Sequence, residues 1–142
     1  LEGGEALSGE ALSVAIDGWC RRGVCEASAA HALQEVIENQ ADWLHPSRLR
    51  EAVFVVLGAS ARCSLLPFLL RAGAHAVAVE GRGERQWRAM KRMALQSPGT
   101  LTYPLRGGVA GCDLLTETPE IRNWLVGLHR GKHMVVVTHL EG

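Results

Sequence analysis

The run Ala52-Val53-Phe54-Val55-Val56-Leu57-Gly58-Ala59-Ser60-Ala61-Arg62 decides the reading of the fold. Its first six residues are apolar without alternation, which suits a strand buried on both faces, and Gly58 ends it. From Arg62 to Ala72 the apolar residues Leu65, Leu66, Phe68, Leu69 and Leu70 follow helical spacing, and Gly73 stops the pattern. Pro67 falls near the first turn of that helix, where a missing N–H costs little. A second cycle follows. Ala74 to Glu80 reads as a strand, and Glu84 to Gln96 as a helix burying Trp87, Met90, Met93 and Ala94. Ser97-Pro98-Gly99 closes it, and Thr100 to Leu105 makes a third strand. The glycine-rich stretch from Gly107 to Asp113 reads as a loop. Thr118-Pro119-Glu120 has the cap, proline and first-turn acid of a helix start, and Gly131 releases that helix into a fourth strand, His133 to Thr138. Strands and helices alternating at these lengths predict a three-layer α/β fold. Its sheet is parallel, with right-handed crossovers and strand order 3-2-1-4.

Upstream, Ser8 to Trp43 has helical spacing in two halves about Gly23, which predicts a helical hairpin. His45-Pro46-Ser47 breaks the pattern, and Ser47 with Glu51 suits one more short turn. The predicted division is a helical extension over 1–47 and an α/β domain over 48–142. So apolar a fourth strand is a poor sheet edge, so more sheet is expected beyond Gly142. The chain also begins with Leu1 rather than Met, and it is read as part of a longer polypeptide.

The hydrophobic fraction of 47% and charged fraction of 21% are those of an ordinary soluble protein. The formal net charge is zero, so no global field favours nucleic acid or an anionic membrane, and neither is expected as a partner. No apolar run reaches the ~18 residues of a membrane span. Glu2, Glu5, Glu10 and Asp17, without a basic segment, argue against a signal peptide. Cys20, Cys25, Cys63 and Cys112 form no CxxC pair. They read as small buried or half-buried thiols in a reducing compartment, cytoplasm or organelle interior. His129 and His133 are parted by the helix-breaking Gly131, so no metal site is expected. Protein partners would use the N-terminal helices or a sheet edge.

The turn Gly58 to Ser64, with Glu80 closing the second strand 22 residues after Gly58, carries the functional signal. Here the chain resembles the Rossmann-fold NAD(P)-binding superfamily, in particular the N-terminal half of short-chain dehydrogenase/reductases. The resemblance covers about ninety residues from Ala52. It implies a dinucleotide whose pyrophosphate meets the turn and the following helix N-terminus. Gly58 matches the first glycine of the fingerprint, while Ser60 and Cys63 stand where the second and third would be. Ser60 must therefore donate its hydroxyl to the pyrophosphate or crowd it. Ala61 belongs to the same turn, and Arg62 is placed to bind a phosphate directly. Glu80 matches the acid that accepts from a ribose diol, and its charge disfavours a 2′-phosphate, so NAD is preferred to NADP. Arg82 and Arg85, which follow it, would hold that phosphate if the cofactor were NADP. Asp113 matches a position near the adenine amino group, and Thr138 and His139 the nicotinamide side.

The chain departs from the reductases in one decisive place. They need a tyrosine four residues before a lysine, so that the cation eases proton loss from the phenol. Tyr103 is the only tyrosine here, and Gly107 stands four residues on. Two readings remain open: the cofactor half of an oxidoreductase, or a non-catalytic Rossmann-like accessory or scaffold subunit of a larger assembly, with no cofactor at all. A methyltransferase using S-adenosylmethionine would share the ribose acid. It would also need an acid just before the glycine turn, where Val55-Val56-Leu57 stand.

Overall fold

The computed structural model describes residues 6–129 and 131–138. They form two compact units, dividing between Leu44 and His45.

The first unit holds two helices, α1 (Gly9–Arg21) and α2 (Ala27–Trp43). They pack on each other through Ile16 and Ala30, its only buried apolar residues among those described. A polar clasp joins them. Gln34 accepts from Ser13 Oγ at 2.5 Å and donates its amide to Ser13 O at 3.0 Å and Asp17 Oδ1 at 3.2 Å.

The second unit contains α3 (Pro46–Glu51), β1 (Ala52–Leu57), α4 (Leu66–Arg71), β2 (His75–Val79), α5 (Glu84–Leu95) and β3 (Thr100–Thr102). Then come β4 (Leu105–Arg106), β5 (Val109–Ala110), α6 (Thr118–His129) and β6 (His133–Thr138). Four strands make one sheet in the order β3-β2-β1-β6, and every pair in it is parallel. The α/β class and the parallel sheet are those the alternation predicted. β1 and β2 are central, and this explains their unbroken apolar sequences: Val53, Val55, Val56, Ala76, Val77, Ala78 and Val79 are all at most 1% exposed. Val53, Val55, Val77 and Val79 face α6, packing with Ile121, Trp124, Leu125 and Leu128. The alternate residues face the layer where α4 packs on β2. No helix among the described residues is long and apolar enough to cross a membrane.

Four expectations are corrected. The helix predicted from Arg62 begins only at Leu66 and has six residues. Residues 58–65 are spent instead on successive turns, with Ala61 N–H donating to Gly58 O (3.1 Å) and Ser64 N–H to Ala61 O (3.0 Å). Ser64 Oγ then accepts from Leu66 N–H at 3.2 Å, and Pro67 occupies the first turn. The third strand stops at Thr102, because Pro104 has no N–H to continue a ladder. The glycine-rich stretch is not an unstructured loop: β4 and β5 pair antiparallel across Gly107-Gly108. Both glycines have positive φ (58° and 82°), the conformation that a tight two-residue hairpin turn requires. Finally, Cys63 is exposed rather than buried, because its turn never becomes a helix face.

Candidate functional site

The carboxyl ends of β1 and β2 lie side by side, with Leu57 level with Val79. Gly58 N–H extends the ladder by donating to Val79 O at 3.0 Å, and the chain then turns away at positive φ (74°). This places the next turn against the residue that leaves β2. Glu80 Oε2 accepts from Ser60 N–H at 2.7 Å, and Glu80 Oε1 from Gly81 N–H at 2.8 Å. The turn that holds Gly58 and Ser60 is thus brought against Glu80, 20 residues after Ser60, at one corner of the sheet. Ser60, Ala61 and Ser64 also line a cleft of about 400 Å³, together with Pro67, Arg85 and Met90. Arg62 is exposed on the turn. Thr138 lies level with Leu57 on the other side of β1, while His139 is outside the described residues.

The remaining candidates, Arg82 and Asp113, belong to a second cluster built on Glu117. Arg82 Nη2 reaches both oxygens of Glu117 at 2.6 Å, and Arg106 Nη1 reaches Oε1 at 3.0 Å. The Asp113 N–H donates to Oε2 at 2.8 Å. The Asp113 side chain is turned locally, accepting from Leu115 N–H (2.8 Å) and Thr116 Oγ1 (2.9 Å). These donors hold its carboxyl below the usual aspartate range, the Leu115 N–H most of all. Glu117 is only 15% exposed, and its pKa is lowered to about 2. The Asp113 N–H contributes most to that shift and the Arg82 guanidinium next.

Glu117 therefore fastens three segments at this end of the sheet: the loop after β2, strand β4, and the chain after β5. The same chain is tied to the Glu80 corner, because Cys112 N–H donates to Glu80 O at 2.9 Å. Burial, followed by the Glu117 charge, pushes the Cys112 thiol pKa up. Sequence reasoning missed Glu117. Its four hydrogen-bonding contacts come from positions 82, 106 and 113, and no spacing rule links them. The only local signal was an acid near a helix start, which reads equally well as a helix-dipole partner.

The titration of Glu117 has a definite sign. Its folded pKa lies below the ordinary value of 4.5, so its stabilising contribution is complete above that pH. That contribution is lost as pH falls toward about 2. Glu117→Gln should lower the urea midpoint at pH 7, and the gap from the parent should close between pH 4.5 and 2. A gap unchanged across that window would show that the clamp does not depend on the charge.

The chain matches no protein-family model, no curated protein and no solved structure.

Proposed function

We propose that the α/β unit binds a nucleotide of the NAD type through its ribose, with Glu80 as the acceptor. One observation carries this reading: each Glu80 oxygen is fixed by one backbone N–H, from Ser60 at 2.7 Å and from Gly81 at 2.8 Å. A carboxylate has about four lone-pair positions, so two remain, pre-oriented, for the two hydroxyls of a ribose diol. Its negative charge opposes a 2′-phosphate. Of the two arginines that would offset this, Arg82 is held by Glu117. Both facts favour NAD over NADP.

The pyrophosphate is less well served. α4 starts eight residues after Gly58, so no helix end meets the turn, and the Ala61 and Ser64 N–H groups are already bonded within it. The Ser60 hydroxyl is a side-chain donor within the turn that can meet it. Binding is therefore expected to rest on the adenosine half and to be weak for a dinucleotide site. On this reading the unit supplies the cofactor-binding half of an oxidoreductase.

A second reading, a non-catalytic accessory or scaffold module, is favoured by the missing phosphate cradle. The engagement of Arg82 and the Asp113 backbone with Glu117 favours it too. Calorimetric titration with NAD and NADP separates the two. The first reading expects NAD to bind in preference, Glu80→Gln to weaken it at least tenfold, and Glu80→Arg to turn the preference toward NADP. Absence of binding at millimolar NAD by a normally folded protein would leave the scaffold reading.

A further inference from the structure

The formal charge of zero conceals a strong segregation. Residues 1–44 carry two Arg and no Lys against eight Asp and Glu, a formal −6. Residues 45–142 carry thirteen Lys and Arg against seven Asp and Glu, a formal +6. The zero sum that argued against a polyanionic partner therefore does not describe the α/β unit. Its cations are densest around α5, where Arg82, Arg85, Arg88, Lys91 and Arg92 face a single acid, Glu84.

Helical geometry sorts these side chains. α5 buries Trp87 and Met90, so Arg85, Arg88 and Arg92, at spacings of three and four, share the opposite crest, and all three are exposed. Lys91 lies on one flank, with Nζ 4.9 Å from the centre of the Tyr103 ring. Arg88 pairs with Glu84 at 2.5 Å, but both side chains are largely exposed (71% and 85%), and such a pair exchanges readily for another anion. Arg85 and Arg92 make no ion pair among the described residues. Three guanidinium groups thus stand in a line with little to neutralise them.

We propose that the outer face of α5 binds the phosphate backbone of a nucleic acid without reading its bases. From Arg85 to Arg92 the crest runs about 10.5 Å along the helix axis. Long arginine side chains spread over that length can reach about three phosphates of one duplex strand, which follow one another at about 3.4 Å of axis while winding around it. The planar guanidinium fork suits phosphate oxygens better than an ammonium does. A bilayer is a poorer match, because α5 buries Trp87 and Met90 and leaves Leu95, at its last turn, as its one large apolar side chain open to insert. The surface is independent of Glu80. The acidic helical unit opposes the same ligand, so the attraction is local and strongest at low salt.

The test uses the full chain and a fluorescently labelled 20-base-pair duplex of arbitrary sequence, read by anisotropy. Three neutralised phosphates give a log–log salt slope of about −2.7, a roughly 40-fold loss of affinity between 50 and 200 mM salt. The paired substitutions Arg88→Gln and Arg92→Gln should bring the slope to about −0.9 and weaken low-salt binding at least tenfold. The circular dichroism and the NAD titration should not change. The proposal fails if no duplex binds at 50 mM salt, or if the slope survives the double substitution. It fails equally if phosphatidylserine vesicles or a polyglutamate peptide bind as tightly as the duplex.

Discussion

Gly111→Ala is expected to destabilise the α/β unit by about 3 kcal/mol or more, a large share of the stability of a small domain. Gly111 has φ of +106°, a backbone conformation that a side chain resists. A Cβ built there would also lie 2.6 Å from Gly81 O and 2.7 Å from Trp87 Nε1. Neither neighbour can give way cheaply. Gly81 is the residue whose N–H fixes Glu80, and Trp87 Nε1 donates to that same Gly81 carbonyl at 2.8 Å. A methyl group at position 111 therefore strains the backbone, breaks a part-buried hydrogen bond and shifts the Glu80 corner at once. Urea unfolding at pH 7 measures the loss. A midpoint within experimental error of the parent would mean that the chain after β5 does not press on the loop after β2.

The second large effect is expected at Trp87. Its side chain is 3% exposed, its ring centroid lies 5.2 Å from that of Tyr103, and its indole N–H is the donor just described. Trp87→Ala should cost about 3–5 kcal/mol, mostly from the cavity. Trp87→Phe keeps much of the volume but leaves the Gly81 carbonyl without its donor, and should cost about 1–2 kcal/mol. The two sites should also be coupled. In a Trp87→Ala background one of the clashes at position 111 disappears, so Gly111→Ala should cost less there than in the parent, although Gly81 O still stands in the way. Strict additivity in that double-mutant cycle would contradict the contact between them.

What was legible in the sequence follows from how local each cause is. β1 and β2 were plain because a strand buried on both faces must be apolar throughout, and Val53 to Leu57 and Ala76 to Val79 are. Helix α5 was equally plain, since its buried Trp87 and Met90 sit among arginines at helical spacing. The late start of α4 was not. Ser60 to Leu65 has no strong helix breaker, and its turns are held by hydrogen bonds and by contact with Glu80 from the next strand. Strand β3 was overextended because Leu101 to Leu105 looks continuous to hydropathy, while Pro104 acts through its missing N–H. The Gly107-Gly108 pair between short apolar flanks was a hairpin signal read only as a loop. At the candidate site, the meeting of Gly58 with Glu80 was foreseeable from strand register. The Glu117 clamp was not, because it exists only once three distant segments have been assembled. The charge segregation was visible in the sequence throughout, but adding the charges over the whole chain hid it.

The all-parallel sheet has a consequence for the order in which the molecule assembles. No two of its strands can meet through a tight turn; Ala52, for instance, finds its partner His133 only after 81 further residues. The nucleus of the α/β unit must therefore close long loops before any ladder rewards it, whereas α1 and α2 need only a five-residue link to find each other. The N-terminal helices thus form early, and β1 waits longest for its final neighbour. The folding rate of the second unit is set by chain closure rather than by helix propensity.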